Sequence, residues 1–196
     1  MANKPCVIVT GGSGYVGGNV CQALRQADYF PINVDRQETP WSSKWGPFYK
    51  TDFNELDEKL IQNDIVAVIH CAANSLVGPS VTNPNLYYEN NVINSIHFLN
   101  LLIERGVNNF VFSSSSSVYG NQEIVPINED FAVLDPLTSY GRSKQMIEGV
   151  LQDYNVAYDF RSISLRYFNA CGATSDVGQV KDATHVIARV LESIIN

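Results

Sequence analysis

Short apolar runs alternate with longer amphipathic segments along the whole chain. Runs rich in β-branched and aromatic residues predict strands at 6–10, 30–35, 48–51, 65–71, 109–113 and 159–166. Apolar residues at helical spacing predict helices at 14–27, 55–62, 84–105, 139–154 and 184–195. In the first of these helices Val16, Val20, Ala23 and Leu24 share one face. The alternation predicts an α/β fold, a Rossmann-like doubly wound parallel sheet with right-handed crossovers and helices on both faces.

Composition narrows the class of protein. The 196 residues are 45% hydrophobic and 17% charged, as in a globular domain. A formal net charge of −7 argues against a broad surface for nucleic acid or anionic membrane. The chain has no run of about 18 apolar residues, and its N-terminus enters the first strand without a signal-like segment. We therefore expect a soluble cytoplasmic protein.

The four cysteines and three histidines are not spaced as metal ligands are. Cys6, Cys21, Cys71 and Cys171 are far apart, and none belongs to a C-x-x-C pair. We expect reduced, structural cysteines and no metal site. The histidines His70, His97 and His185 are expected to be packed or surface residues.

A glycine-rich segment stands directly behind the first predicted strand, with the sequence Gly11-Gly12-Ser13-Gly14-Tyr15-Val16-Gly17. Glycine permits a positive φ in a tight turn and lets the backbone come close to a ligand. The free N–H groups of the helix that follows attract an anion such as the pyrophosphate of a dinucleotide. Such a turn can also serve structure alone, so further residues must decide.

An acidic residue at the end of the second predicted strand supports the dinucleotide interpretation. Asp35 lies about 20 residues beyond the glycines, where a carboxylate binds the adenosine ribose. Its charge would repel a 2′-phosphate, which favours NAD, whereas the adjacent Arg36 could attract that phosphate. Asp52 follows the third strand and is either an adenine contact or a surface acid.

Two further motifs carry possible chemistry. Tyr140 and Lys144 are four residues apart on a predicted helix and so share one face. An ammonium and a cationic nicotinamide nearby would lower the pKa of the phenol, which then could act as a base. The serine run 113–117 ends a predicted parallel strand, where ligand clefts of such sheets open.

Together these segments resemble the extended short-chain dehydrogenase/reductase superfamily, and within it the UDP-glucose 4-epimerases of the NAD-dependent epimerase/dehydratase family. The resemblance covers nearly the whole chain and rests on several separate stretches. They are residues 10–17, His70-Cys71-Ala72-Ala73, residues 77–81, Tyr87-Tyr88-Glu89-Asn90-Asn91-Val92, residues 112–120, residues 139–144 and Leu165-Arg166-Tyr167-Phe168-Asn169.

The resemblance implies a role for each matching residue. Ser115 would hold the sugar 4-hydroxyl, Tyr140 would be the acid/base, and Lys144 would bind the nicotinamide ribose. With the glycine turn and Asp35, the NAD-binding set is Gly11, Gly14, Tyr15, Val16, Gly17, Asp35, Asp52, Phe53, Ala72, Asn90, Tyr140, Lys144 and Tyr167. The substrate-binding set is Ser115, Ser116, Tyr119, Tyr140, Phe168 and Asn169. Asn90 could instead bridge within its helix, and Asn169 could satisfy a buried turn.

The expected activity is interconversion of UDP-glucose and UDP-galactose by transient oxidation at C4. Related 4,6-dehydratases carry an Asp-Glu pair after the strand-end hydroxyl, where this chain has Ser116-Ser117, so elimination is disfavoured. The family's lysine near the cofactor is replaced by Ser75, and the chain ends earlier than family members do. We expect a NAD-binding domain at 1–180, the start of a truncated substrate domain at 181–196, and a homodimer. Two alternatives stay open, a NAD-binding protein without epimerase activity and another oxidoreductase of the superfamily.

Overall fold

In a computed structural model, which describes residues 4–56, 64–130, 132–179 and 185–195, the centre of the molecule is a parallel sheet of six strands. The strands are β1 (Cys6–Thr10), β2 (Phe30–Asp35), β3 (Phe48–Lys50), β4 (Ile65–His70), β5 (Asn109–Ser115) and β6 (Arg161–Tyr167). Their spatial order is β3-β2-β1-β4-β5-β6. The order reverses at β1, so the cleft at the carboxyl ends of β1 and β4 is the switch point where such sheets bind ligands. The predicted fold class is confirmed.

The helices follow the strands in the predicted alternation. They are α1 (Tyr15–Gln26), α2 (Val77–Thr82), α3 (Pro84–Tyr88), α4 (Asn94–Glu104), α5 (Ser139–Tyr158) and α6 (Val186–Ile195), with a π-helical turn at Glu89–Ile93 and 3-10 turns at Phe53–Glu55 and Ser116–Val118. Thr138 caps α5, since its hydroxyl accepts a hydrogen bond from the Gly141 amide at 3.2 Å. Asp159 ends α5 in the left-handed conformation, with φ of 53°.

The core lies between the sheet and the pair α4 and α5. Ile8 and Val68 of the central strands are fully buried there, together with Phe98 of α4 and Leu151 of α5. The alternate residues Val7 and Val9 of β1 are buried on the opposite face of the sheet, because side chains alternate along a strand. This strand is therefore buried on both faces, as its continuous apolar sequence predicts.

Two predicted helices and one unpredicted helix separate the expected pattern from the structure. The segment predicted as one helix at 84–105 consists of α3, the π-helical turn and α4, and the preceding helix α2 was not predicted. A wider π turn accommodates one extra residue per turn, which periodicity at 3.6 residues does not reveal. The predicted helix at 55–62 falls mostly outside the described residues, where only the 3-10 turn Phe53–Glu55 is seen.

The apolar face predicted for α1 does not belong to the core. The buried positions of α1 are Gly17, Gly18 and Cys21, because glycines let the helix approach the sheet and its neighbours closely. Val16, Val20 and Ala23 instead line an open groove of about 440 Å³ against residues 170–174. The Tyr15 hydroxyl closes one side of this groove with a 2.6 Å hydrogen bond to the Gly172 carbonyl.

Strand β6 and helix α6 leave apolar side chains exposed. β6 is an edge strand in which Ile163 is 62% and Leu165 is 39% exposed. Helix α6 buries none of its residues, and its apolar side chains, such as Leu191, remain exposed. In the part of the chain that the structure describes, no helix is long and apolar enough to cross a membrane.

All four cysteines lie in described residues and are free thiols, as expected, although Cys171 is exposed rather than packed.

Candidate active site

The turn between β1 and α1 is built for close approach of a ligand to backbone. Gly11 has φ of +71°, and a Cβ there would come within 2.7 Å of the Ala72 backbone nitrogen. A Cβ at Gly17 would overlap the Gly11 carbonyl oxygen. Gly14, which has no side chain to act as a cap, precedes the first turn of α1, and no acidic residue lies in that turn. The first N–H groups of α1 are thus available to an anion, which fits the pyrophosphate of a dinucleotide.

Asp35 is held at the end of β2 by two backbone amides. Its carboxylate accepts hydrogen bonds from the amide of Ser13 at 3.1 Å and the amide of Gln37 at 2.9 Å. The adjacent Arg36 turns toward Asp52, and their nearest charged atoms are 3.4 Å apart. Asp52 also accepts from the Asn54 amide, so it has structural partners besides any ligand. This arrangement leaves Asp35 on the cleft wall with Arg36 partly neutralised, which fits an unphosphorylated ribose.

A cleft of about 790 Å³ runs along the carboxyl ends of the strands from Asp35 to α5. All but one of the residues expected to bind cofactor or substrate line it. They are Gly11, Gly14, Tyr15, Val16, Gly17, Asp35, Asp52, Phe53, Ala72, Asn90, Ser115, Ser116, Tyr140, Lys144, Tyr167, Phe168 and Asn169. Tyr119 is the exception, since it is buried and does not belong to the lining. Residues from distant parts of the sequence thus meet in one cavity.

Ser115, Tyr140 and Lys144 converge at the middle of this cleft. Ser115 ends β5, and its hydroxyl accepts a hydrogen bond from the Ser117 amide at 3.2 Å. It is also hydrogen-bonded to the Tyr140 phenol. A Cβ at Gly141 would lie 2.6 Å from the Ser117 carbonyl oxygen, so this glycine lets α5 come close to the serine turn. The closeness of helix and turn brings Tyr140 to Ser115.

Lys144 is buried at 3% exposure, with its ammonium directed at the end of β5. The ammonium donates a 2.8 Å hydrogen bond to the Ser113 carbonyl oxygen and lies 4.7 Å from the Phe112 ring centroid. Burial lowers the pKa of Lys144 to about 8, while nearby Cys71 and Glu148 oppose that fall. The distance from the ammonium to the Tyr140 ring centroid is 5.9 Å.

The pKa of Tyr140 differs from the sequence-based expectation. Burial raises it above the ordinary phenol value, and the hydrogen bond with Ser115 opposes that rise. The expected lowering by Lys144 does not outweigh desolvation in the protein alone, because a phenolate away from water is costly. The other group expected to lower the pKa of Tyr140 is the cationic nicotinamide of the bound cofactor.

Asn91 joins the cleft wall to α5, a role that the sequence did not predict. Its side-chain oxygen accepts from the Asn74 amide at 2.9 Å and from the Asn90 side chain at 2.8 Å. Its nitrogen donates to the Asn74 carbonyl at 3.0 Å and to the Ser143 hydroxyl at 3.1 Å. The bridge within the helix that was left open for Asn90 is present, and Asn90 lines the cleft as well. A pair of adjacent asparagines inside an apolar segment was the available signal, because buried amides need partners.

Tyr119 and His70 have partners within the protein. The Tyr119 hydroxyl accepts a 3.0 Å hydrogen bond from Arg166, and its ring stacks on Phe168 at 6.4 Å. His70 is fully buried, with its Nδ1 2.7 Å from the Thr10 hydroxyl and its Nε2 3.3 Å from the Ser95 hydroxyl. Burial lowers the pKa of His70 to about 3, so the ring is neutral. The expectation that His70 is a packed histidine is confirmed.

Comparison with known proteins shows the family of this chain. Residues 7–196 match the NAD dependent epimerase/dehydratase family. The chain belongs to this family. Membership agrees with the resemblance seen in the sequence and confirms the expected cofactor, since the family is NAD-dependent.

Individual relatives define the likeness further. A UDP-glucose 4-epimerase of Rhizobium leguminosarum bv. trifolii is 36% identical over 198 residues, covering 96% of this chain and 60% of the relative. The crystal structure of a UDP-glucose 4-epimerase from Brucella ovis in complex with NAD superposes with a TM-score of 0.87 at 36% identity, over 94% of this chain and 59% of that one. A NAD-dependent NDP-hexosamine 5,6-dehydratase of tunicamycin biosynthesis reaches a TM-score of 0.86 at 27% identity, over 98% and 62%.

The coverage bears on the second domain. The chain spans about 60% of the length of these relatives, so the 196 residues correspond to their cofactor-binding part. This agrees with the expectation that the substrate domain is largely absent from the sequence. The division of the chain at residue 180 remains a prediction, and residues 180–184 lie outside the described residues.

Proposed function

We propose that these residues form the NAD-binding and catalytic part of a nucleotide-sugar epimerase that interconverts UDP-glucose and UDP-galactose. The observation that carries the proposal is the convergence of Ser115, Tyr140 and Lys144 in one cleft with the glycine turn and Asp35. Membership of the family and the similarity to UDP-glucose 4-epimerases support the same substrate class.

The protein's own groups supply proton transfer and orientation. NAD held by the glycine turn, Asp35 and Lys144 would supply reversible hydride transfer at C4 of the sugar. Tyr140 takes the proton of the 4-hydroxyl and gives it back, while Ser115 holds the same hydroxyl through a hydrogen bond. Lys144 binds the nicotinamide ribose and provides positive charge near the phenol. Phe168 and Asn169, on the far wall, orient the sugar nucleotide.

Elimination of water fits these residues less well. The positions directly after Ser115 are Ser116 and Ser117, whose hydroxyls are poor acids and bases near neutral pH. A dehydration that needs a carboxylic acid and a carboxylate at these positions has neither. Because epimerisation returns the hydride, it consumes no net NAD, which separates it from simple oxidoreduction.

The decisive experiment follows UDP-galactose by proton NMR with added NAD and the purified chain. Appearance of UDP-glucose, and its loss in Tyr140→Phe, is the expected result, because the variant lacks the proton-transferring hydroxyl. A reduction of about 10²-fold or more in rate is expected for removal of a general acid/base. Unchanged UDP-galactose, or full activity in Tyr140→Phe, contradicts the proposal.

One observation favours a second candidate, a NAD-binding protein without epimerase activity. The chain covers only 60% of the length of its relative, and a catalytic set cannot act on a substrate that is not oriented. Calorimetric NAD binding without conversion at high UDP-sugar selects this candidate. Net formation of NADH would select an oxidoreductase instead.

The homodimer implied by the resemblance also stays a proposal. Ile93 of the π-helical turn and Met146 of α5 are about half exposed, and these two elements pack against each other. Exposed apolar residues at neighbouring sites are typical of an interface. Light scattering of the purified chain tests it, with Ile93→Asp expected to yield monomer and a monomeric wild type as the contrary result.

A further inference from the structure

Glu148 is a buried carboxylate that the proposed chemistry does not use. It lies on α5 one turn beyond Lys144 and is only 5% exposed. Its side chain accepts a hydrogen bond from the Ser114 hydroxyl. Arg166 of β6 engages it through two nitrogens, with Nη2 2.6 Å from Oε2 and Nε 3.0 Å from Oε1. A carboxylate this well paired is fixed in one orientation.

The paired arginine extends this arrangement toward the substrate side of the cleft. The second terminal nitrogen of Arg166 donates to the Tyr119 hydroxyl at 3.0 Å, and the guanidinium carbon lies 4.8 Å from the Tyr119 ring centroid. The Tyr119 ring stacks on Phe168, which lines the cleft. Glu148 is therefore linked to the substrate wall through Arg166 and Tyr119.

On its other side Glu148 acts on the catalytic groups. Ser114 immediately precedes Ser115, so the hydrogen bond to Glu148 fixes the end of β5. The groups that face the Lys144 ammonium are the Ser113 carbonyl, the thiol of Cys71, the neutral ring of His70, the phenol of Tyr140 and Glu148. Among them Cys71 and then the Glu148 carboxylate, which is also paired with Arg166, oppose the lowering of the Lys144 pKa by burial.

We propose that Glu148 is a positioning residue that keeps Lys144 charged and fixes the serine strand and the Phe168 wall in register. The proposal rests on the function proposed above, because Lys144 matters as a ligand of the nicotinamide ribose. Glu148 itself touches neither cofactor nor substrate, since the residues lining the cleft do not include it.

The first test measures the pKa of Lys144 directly by NMR on protein with ¹³C-labelled lysine, with the signal assigned through Lys144→Met. In Glu148→Gln the pKa of Lys144 is expected to fall by about half a unit or more below its wild-type value near 8, because a compensating charge is lost. Asp153→Asn, an exposed carboxylate on the same helix, is the matched control and leaves it unchanged. An unchanged Lys144 pKa in folded Glu148→Gln overturns the proposal.

The second test separates positioning from stability. Removing one partner of a buried ion pair destabilises strongly, whereas replacing both by apolar residues of similar size restores stability. Glu148→Met combined with Arg166→Met is therefore expected to melt near the wild-type temperature. In this folded double variant, NAD is expected to bind about tenfold more weakly, while ADP, which lacks the nicotinamide ribose, binds within about twofold of wild type. Recovery of NAD affinity together with stability overturns the proposal.

The two arms distinguish this inference from the proposed function. If the wild-type chain binds no NAD, the proposed function fails, and the Lys144 titration still decides the role of Glu148. If Glu148→Gln does not fold, the comparison of NAD and ADP affinity in the folded double variant decides the role of Glu148 instead. There a selective loss of NAD affinity supports the proposal, and wild-type affinity for both ligands contradicts it.

Discussion

Lys144 of α5 donates a 2.8 Å hydrogen bond to the carbonyl oxygen of Ser113 in β5. This bond joins the helix that carries Tyr140 to the strand that ends in Ser115. The Lys144 ammonium is buried at this position, and taking a charge out of water costs free energy of folding. The site is therefore expected to lower the stability of the fold that holds it.

Replacing Lys144 by methionine is expected to stabilise the chain at pH 7 and weaken NAD binding. The pKa falls from an ordinary value of 10.5 to about 8 on folding, so burial of the ammonium costs about 3 kcal/mol. Below pH 8 both states of the wild type are protonated and this cost is complete. Between pH 8 and 10.5 unfolding takes up a proton, so wild-type stability rises with pH.

Urea unfolding of both proteins from pH 7 to 10.5 measures this difference. The stability advantage of Lys144→Met should shrink steadily above pH 8. A constant difference across that range contradicts a buried ammonium with a lowered pKa.

Two helix glycines provide a matched pair for the cofactor turn. A Cβ at Gly17 would overlap the Gly11 carbonyl oxygen, whereas nothing lies within 4 Å of a Cβ at Gly149. Gly17→Ala is expected to destabilise by about 1–3 kcal/mol through forced movement of the turn. Gly149→Ala is expected to stabilise by about 0.5–1 kcal/mol, because alanine suits a helix interior better.

Urea unfolding together with NAD calorimetry compares these two variants. Only Gly17→Ala should lose NAD affinity. Equal behaviour of the two alanine variants would show that the close approach at Gly17 has no energetic weight.

Asp35 is expected to set the preference between the two nicotinamide cofactors. Asp35→Asn keeps the side-chain shape but removes the charge that repels a 2′-phosphate. We expect NAD affinity to fall about tenfold and the preference for NAD over NADP to narrow, as one lost charged hydrogen bond predicts. Glu38→Gln, three residues further on and paired with Lys50 at 3.5 Å, is the control. Titration of each protein with NAD and with NADP measures the two affinities. An unaltered preference for NAD over NADP in Asp35→Asn counts against the role of Asp35.

His70 is expected to make the fold sensitive to acid. Its pKa is lowered to about 3 in the folded chain, so between pH 6.5 and 3 the unfolded state binds a proton that the folded state does not. Stability therefore falls as the pH drops through this range. His70→Gln should unfold less steeply with acid than wild type, whereas the exposed His97→Gln should follow wild type. Thermal melts at pH 7 and pH 4.5 test this, and equal pH dependence in all three proteins refutes it.

Strands and the cofactor turn could be predicted from the sequence because their signals are local. The apolar run 65–71 and the glycines after β1 each carry their own physical reason. The π-helical turn at Glu89–Ile93 could not be predicted, since its extra residue is stabilised by Asn91 reaching Asn74 and Ser143 across the fold. The predicted buried face of α1 was wrong because α1 packs closely through its glycines, Gly17 and Gly18, rather than through its apolar side chains.

The candidate site follows the same division. The spacing of Tyr140 and Lys144 predicted their shared helix face, and the strand-end position predicted that the serine run lies at the cleft, while the choice of Ser115 came from the family resemblance. Glu148 and Arg166 could not, since their pairing joins α5 to β6 and depends on tertiary packing alone. The contact of Tyr119 with substrate remains a prediction, and in the protein alone its hydroxyl accepts a hydrogen bond from Arg166.

The position of β1 at the reversal of strand order has a consequence for synthesis. Among the six strands of this sheet β1 is synthesised first, and it pairs with β2 on one side and β4 on the other. Each later strand then finds the edge of its partner already exposed, so the sheet can grow outward as the N-terminal part is made. The cofactor turn becomes complete only when β4 brings Ala72 against Gly11. The part of the sheet that carries the glycine turn is therefore complete in sequence at Ala72, well before α5 with Tyr140 and Lys144 is synthesised.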